Sequence, residues 1–90
     1  MIIVDTYAVN NGRKQQKQKV GYENMEVARN KIANKMNEVK QGYDNFLQKN
    51  GLGTIDMVIS ENKNVLTYTF TNKYIQNTDY VFKFKEENSL

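Results

Sequence analysis

The chain has 90 residues, a formal net charge of +3, and neither cysteine nor histidine. These counts exclude disulfides, thiolate catalysis and cysteine-based metal sites, and they remove the commonest general base and metal ligand. A chain of this length forms one domain with a modest core, so we expect no cofactor and no metal site.

The first apolar segment, residues 2–9, is rich in β-branched and aromatic residues and predicts a strand. Both of its faces are partly apolar, which is typical of a strand inside a sheet. It lacks the cationic leader and cleavage site of a signal peptide, and no run in the chain approaches the roughly 20 apolar residues of a membrane span. We therefore expect a cytoplasmic protein that does not cross a membrane.

Asn10-Asn11-Gly12 predicts a hairpin turn because these residues tolerate a positive φ, and residues 13–22 are expected to form the returning strand. The cations of this strand are Arg13, Lys14, Lys17 and Lys19. Residues 1–22 carry only one acid beside them, so the net positive charge of the chain is concentrated here. The segment has three interpretations: an edge strand kept soluble by lysine, a contact surface for an acidic protein, or a hairpin that contacts phosphates.

Residues 23–49 show helical periodicity, with apolar residues three or four positions apart. The predicted apolar stripe is Met25, Ala28, Ile32, Met36, Val39, Tyr43 and Phe46, and it is widened by Val27, Ala33 and Leu47. Glu23 and Glu26 stand near the start, where the helix dipole favours acids, and Asn50-Gly51 is a stop signal. The opposite face, which includes Arg29, is interpreted as solvated.

Three segments with period-2 alternation follow the helix and predict an antiparallel meander. The predicted strands are residues 54–60, 65–71 and 80–85, joined by a turn at 61–64 and a loop at 72–79, with a frayed tail at 86–90. Their predicted apolar face consists of Ile55, Met57, Ile59, Leu66, Tyr68, Phe70, Tyr80, Phe82 and Phe84. The helix and this face should bury each other in two layers. We therefore predict one α+β domain over residues 1–90: a mostly antiparallel sheet of four to five strands, in the order β-β-α-β-β-β, with one long amphipathic helix on one face.

The acidic residues contain one candidate catalytic pattern. Glu61 and Lys63 match the acid-x-Lys half of a metal-nuclease signature, with Asp56 upstream as a ligand candidate. Both fall in a predicted turn, where side chains point to water, so the match is interpreted as a solvated turn. Without histidine, Ser60 and Ser89 have no usual activating base. We therefore predict no catalytic residues and a protein that is not an enzyme.

The residues predicted to bind a partner come from the basic strand and from the meander. The aromatic side chains of the meander belong to the face that the helix must cover, which leaves Tyr74, in the predicted loop, free to contact a partner. The opposite face of the meander carries threonines and lysines. The predicted partner-binding residues are Arg13, Lys14, Lys17, Lys19, Tyr74, Lys83 and Lys85.

These features favour a small interaction protein that binds and modulates a host protein through a basic surface facing an acidic one. An Asn- and Lys-rich chain without proline also suits an AT-rich phage or mobile-element genome. The alternative is a nucleic-acid-binding accessory protein that uses the same basic segment. A third interpretation is a homo-oligomeric structural protein that pairs its sheet edges.

Overall fold

A computed structural model describes residues 1–87. The chain follows the order β-β-α-β-β-β, as the sequence predicts. Its elements are β1 (Ile2–Asn10), β2 (Arg13–Tyr22), α1 (Met25–Lys49), β3 (Asp56–Asn62), β4 (Val65–Asn72) and β5 (Ile75–Glu86).

The strands form one antiparallel five-stranded sheet in the order β2-β1-β5-β4-β3. The strand β5 lies at its centre because it pairs with β1 on one side and with β4 on the other. The helix α1 packs on one face only, so the predicted α+β architecture is confirmed. The edges of the sheet are β2 and β3.

The ends of α1 are set by asparagine and glycine. The Asn24 side chain accepts a hydrogen bond of 2.9 Å from the Val27 N–H, which caps the first turn, so Glu23 lies outside the helix. At the other end Gly51 adopts a positive φ of 66°, and the Leu52 N–H donates to the Leu47 carbonyl at 2.8 Å. This closure is the common left-handed helix stop.

The core lies between α1 and the covered face of the sheet. Its buried members are Ile2, Val4, Ala28, Ile32, Met36, Leu47, Ile55, Leu66, Tyr68, Phe70, Phe82 and Phe84. Phe70 is fully buried; Tyr43 stacks on it at 5.4 Å between ring centroids, and Tyr80 meets it edge-on at 5.7 Å. The prediction for Phe46 is wrong: this side chain is 55% exposed, and Leu47, four residues after Tyr43, continues the buried stripe.

The predicted loop at 72–79 is mostly strand. Only Lys73 and Tyr74 separate β4 from β5, which starts at Ile75. The register shifts between Phe70 and Asn72, because two β5 residues stand opposite Thr71. This bulge interrupts the alternation along β5 and conceals the start of the strand in the sequence.

The last strand, β5, also extends beyond its predicted end at residue 85. Glu86, assigned to the frayed tail at 86–90, pairs with Ile2, and the Glu87 N–H donates to the Met1 carbonyl at 2.9 Å. Residues 88–90 of that predicted tail lie outside the described part of the chain.

The strand β3 lies two residues later than predicted, at Asp56–Asn62. All of its residues except Met57 are exposed. Met57 packs against the core, but Ile59, on the same predicted apolar side, is 52% exposed.

Glu61 belongs to the strand and not to a solvated turn. Its carboxylate accepts two hydrogen bonds, of 2.6 and 2.8 Å, from the Arg29 guanidinium. Arg29 also stands over the ring of Phe84, so its side chain, which is 41% exposed as the solvated face predicts, contacts the sheet as well as the solvent.

Two carboxylates connect the helix to β3 and to the segment before it, and both should contribute to the stability of the fold in acid. Asp44 accepts a hydrogen bond of 2.7 Å from the Ile55 N–H and pairs with Lys40 at 3.0 Å. The Ile55 N–H, followed by Lys40, lowers the pKa of Asp44, and Arg29 lowers the pKa of Glu61. The ionised forms of both groups therefore stabilise the folded state.

The midpoint of thermal unfolding should stay constant between about pH 6 and 8, because no unperturbed side chain of this composition titrates there. Below about pH 4 the midpoint should decrease. A carboxylate whose pKa is lower in the folded state than in the unfolded chain contributes its full stability above the unfolded pKa. That contribution is lost as the pH falls through the folded pKa. Asp44→Asn should melt lower at pH 7 and lose less on acidification. An unfolding midpoint that is unchanged at pH 3 would contradict this account.

Candidate partner-binding face

The basic segment forms the edge strand β2, whose side chains are exposed from Arg13 to Gly21. It pairs with β1 in antiparallel register, with Arg13 opposite Asn10 and Tyr22 opposite Ile2. The turn residue Asn11 has a positive φ of 56°, as the predicted hairpin requires. The hairpin prediction is confirmed, and the cations therefore stand along the rim of the sheet.

A bulge in β2 decides which face its lysines occupy. The pairs Thr6–Gln18 and Ala8–Gln15 leave two β2 residues, Gln16 and Lys17, opposite the single residue Tyr7. Gln16 takes the left-handed conformation with a φ of 56°. The extra residue reverses the alternation along the strand.

Lys14 and Lys19 are five positions apart, so in a regular strand they would face opposite sides of the sheet. With the bulge between them, Lys14 stands opposite Val9 and Lys19 opposite Asp5. Val9 and Asp5 are four positions apart in β1, so their side chains face the same side of the sheet. Both lysines therefore occupy the same side of the sheet. It is the side that α1 leaves uncovered, and we call it the open face.

Tyr7 is the centre of this arrangement. The ammonium group of Lys14 stands 4.9 Å from the centroid of the Tyr7 ring, and that of Lys83, from the central strand β5, stands 5.4 Å from it. Ammonium groups at such distances are attracted by the electron-rich face of the ring. The ring thus holds together lysines that are 69 positions apart in the chain.

A shallow groove of about 380 Å³ surrounds Tyr7 on the open face. Its cations, which we call the basic cluster, are Lys14, Lys17, Lys19 and Lys83. The groove contains one acid, Asp5, which lies at 4.0 Å from Lys19 and stands opposite Lys83 in the register. The basic cluster keeps a positive excess after this partial compensation.

The remaining predicted residues lie outside the groove. Lys85 is exposed on the same face, opposite Ile3. Arg13 stands opposite Asn10, whose side chain donates to the buried Thr78 on the helix side of the sheet, so the register separates Arg13 from the basic cluster. Tyr74 is 58% exposed in the turn between β4 and β5, with the Lys73 ammonium 5.0 Å from its ring centroid.

The open face continues from the groove towards the middle of the sheet. Val81 is buried there between its register partners Tyr7 and Thr67. Half-buried threonines, Thr67, Thr69 and Thr71, alternate along β4 with the core residues of the covered face. The open face therefore carries lysines beside the β2 edge, a row of threonines along β4, and the acid Asp79 between Val9 and Thr69.

Sequence reasoning missed Asp5 and Tyr7 as members of the site. The periodicity of β1 does place both on one face with Ile3 and Val9, but only the strand order brings β5 beside them. Within residues 1–87, no group of three or more acidic side chains is arranged to hold a metal ion. In the same range, no helix is long and apolar enough to cross a membrane.

Comparison with known proteins gives no relative: no protein-family model, no curated protein and no solved structure matches this chain.

Proposed function

We propose that this chain is a small non-enzymatic interaction protein whose open face binds an acidic surface of another protein. The observation that carries the proposal is the basic cluster around Tyr7, on a sheet face that the helix leaves uncovered. Complementary charges on two contact surfaces speed encounter and fix the orientation of two proteins.

The surroundings of Tyr7 favour a protein partner over a nucleic acid. Single strands bind to sheets by stacking bases on free aromatic rings. Here the Lys14 and Lys83 ammonium groups lie against the Tyr7 ring, and Asp5 places a negative charge inside the groove. A phosphate backbone would meet that carboxylate, whereas a protein surface can offer it a donor and offer its own carboxylates to the lysines.

The biological setting is part of the proposal and rests on composition. A short chain rich in Asn and Lys, without proline, suits a phage or mobile element that modulates a protein of its host in the cytoplasm. The absence of histidine and cysteine leaves few groups for catalysis and supports a binding role.

Affinity capture from a lysate of the native host tests the class of partner. The tagged chain is incubated with the lysate with and without nuclease, and the bound material is analysed by mass spectrometry. We expect one acidic protein to be recovered equally in both arms. Recovery that disappears with nuclease would replace the proposal by the nucleic-acid alternative.

A further inference from the structure

The two edges of the sheet are built differently. The basic edge strand β2 carries three lysines and a bulge, both of which discourage pairing with another strand. The opposite edge strand β3, with the sequence DMVISEN, has no lysine, and its register with β4 is unbroken from Asp56 to Asn62. At its centre Val58 is 58% exposed and Ile59 is 52% exposed, on alternate faces.

An edge strand offers a row of backbone N–H and C=O groups to any strand that can approach it. We infer that β3 pairs antiparallel with β3 of a second copy of this chain, which joins the two sheets into one. Such an interface is isologous, because the same strand serves both partners.

The length of β3 selects one register for this pair. When Ile59 stands opposite Ile59 of the second copy, all seven residues of β3 find a partner, and Asp56 stands opposite Asn62. Opposed residues of an antiparallel pair face the same side of the sheet, so the register can change only in steps of two, and a shift of two leaves two of the seven residues unpaired. The centred register also brings Ile59 and its copy together beside Met57, where each covers apolar surface that is exposed in the single chain.

The inferred dimer leaves the proposed binding face free. The basic cluster belongs to β1, β2 and β5, whereas β3 lies at the other edge. The twofold axis of two antiparallel strands in one sheet is perpendicular to that sheet, so both open faces point the same way. A dimer would then present two basic clusters to one partner surface and gain avidity.

Sedimentation equilibrium of the full chain, from micromolar to millimolar concentration, tests the inference. We expect the parent to dimerise and Ile59→Lys to remain monomeric, because a central lysine blocks edge pairing. Gln15→Lys, on the exposed basic edge β2, is the matched control and should dimerise like the parent. A parent that is monomeric throughout, or an Ile59→Lys variant that still dimerises, would overturn the inference.

Cross-linking tests the register without relying on a charge change. The chain has no cysteine, so each single-cysteine variant reports one contact. In the centred register two copies of Ile59→Cys place their Cβ atoms about 5 Å apart and should form a disulfide under mild oxidation. Two copies of Asn62→Cys lie about 20 Å apart and should not. Absence of cross-linking at position 59, or equal cross-linking at both positions, would contradict the register.

Discussion

Replacing Phe70 with alanine should remove most of the stability of the fold. Phe70 is fully buried, and its ring meets both Tyr43 and Tyr80, so the substitution removes a ring that joins the helix to two strands. Truncating a buried phenylalanine costs about 3–5 kcal/mol. A domain of this size is stabilised by on the order of 5 kcal/mol in total. Urea denaturation followed by circular dichroism measures the loss.

The matched control is Phe46→Ala, which makes the same chemical change at a side chain that is 55% exposed. An exposed position away from packed contacts should change the free energy of unfolding by no more than about 0.5 kcal/mol. If the two variants unfold at the same urea concentration as the parent, the helix does not pack on the sheet as described. If Phe46→Ala is the more damaging, the buried stripe of α1 has been assigned to the wrong side.

Removing the charge of the basic cluster should abolish fast association with the partner while leaving the fold intact. The triple substitution Lys14→Gln, Lys17→Gln and Lys83→Gln leaves Lys19 beside Asp5 and changes only exposed side chains. Charge steering accelerates encounter by about 10-fold or more, so the association rate should fall by a similar factor. The rate for the parent should also decrease steeply with salt, and the rate for the variant should not. Stopped-flow or biosensor kinetics with the captured protein measures both.

A control variant with substitutions on α1 distinguishes the effect of where the lysines lie from the effect of the total charge of the protein. Lys31, Lys35 and Lys49 are exposed on α1, and changing all three to glutamine lowers the formal net charge from +3 to zero, as the cluster variant does. We expect this control to associate at close to the parental rate. Equal losses in the two variants would mean that net charge, and not the open face, governs binding.

The helix and the covered face were predictable because their signals are local and redundant. Ala28, Ile32 and Met36 recur at helical spacing, and Leu66, Tyr68 and Phe70 alternate, so either set alone indicates its element. The one error in the stripe, at Phe46, has a local cause. After Tyr43 both Phe46 and Leu47 fit a step of three or four residues, and only packing selects Leu47.

The site was only partly predictable because it depends on a bulge and on strand order. The left-handed backbone conformation of Gln16 could not be predicted from its residue type, because glutamine has no special preference for that conformation. Without its bulge, alternation would have divided Lys14 from Lys17 and Lys19. The contact of Lys83 with Tyr7 required knowing that β5 pairs with β1, a neighbour far away in sequence.

The pairing of Arg29 with Glu61 escaped prediction for the same reason. The sequence pattern around each residue predicts an exposed side chain. The contact forms only because the start of α1 lies near the end of β3.

The most direct test of the account is to map which face the partner covers. With methyl-labelled protein and the captured partner, NMR spectra report the threonine and valine methyl groups of both faces separately. The account predicts that Thr67, Thr69 and Val81, on the open face, shift on binding, while Val27 and Val39, on the helix, do not. Shifts confined to the helix methyl groups, with the open face unchanged, would contradict it.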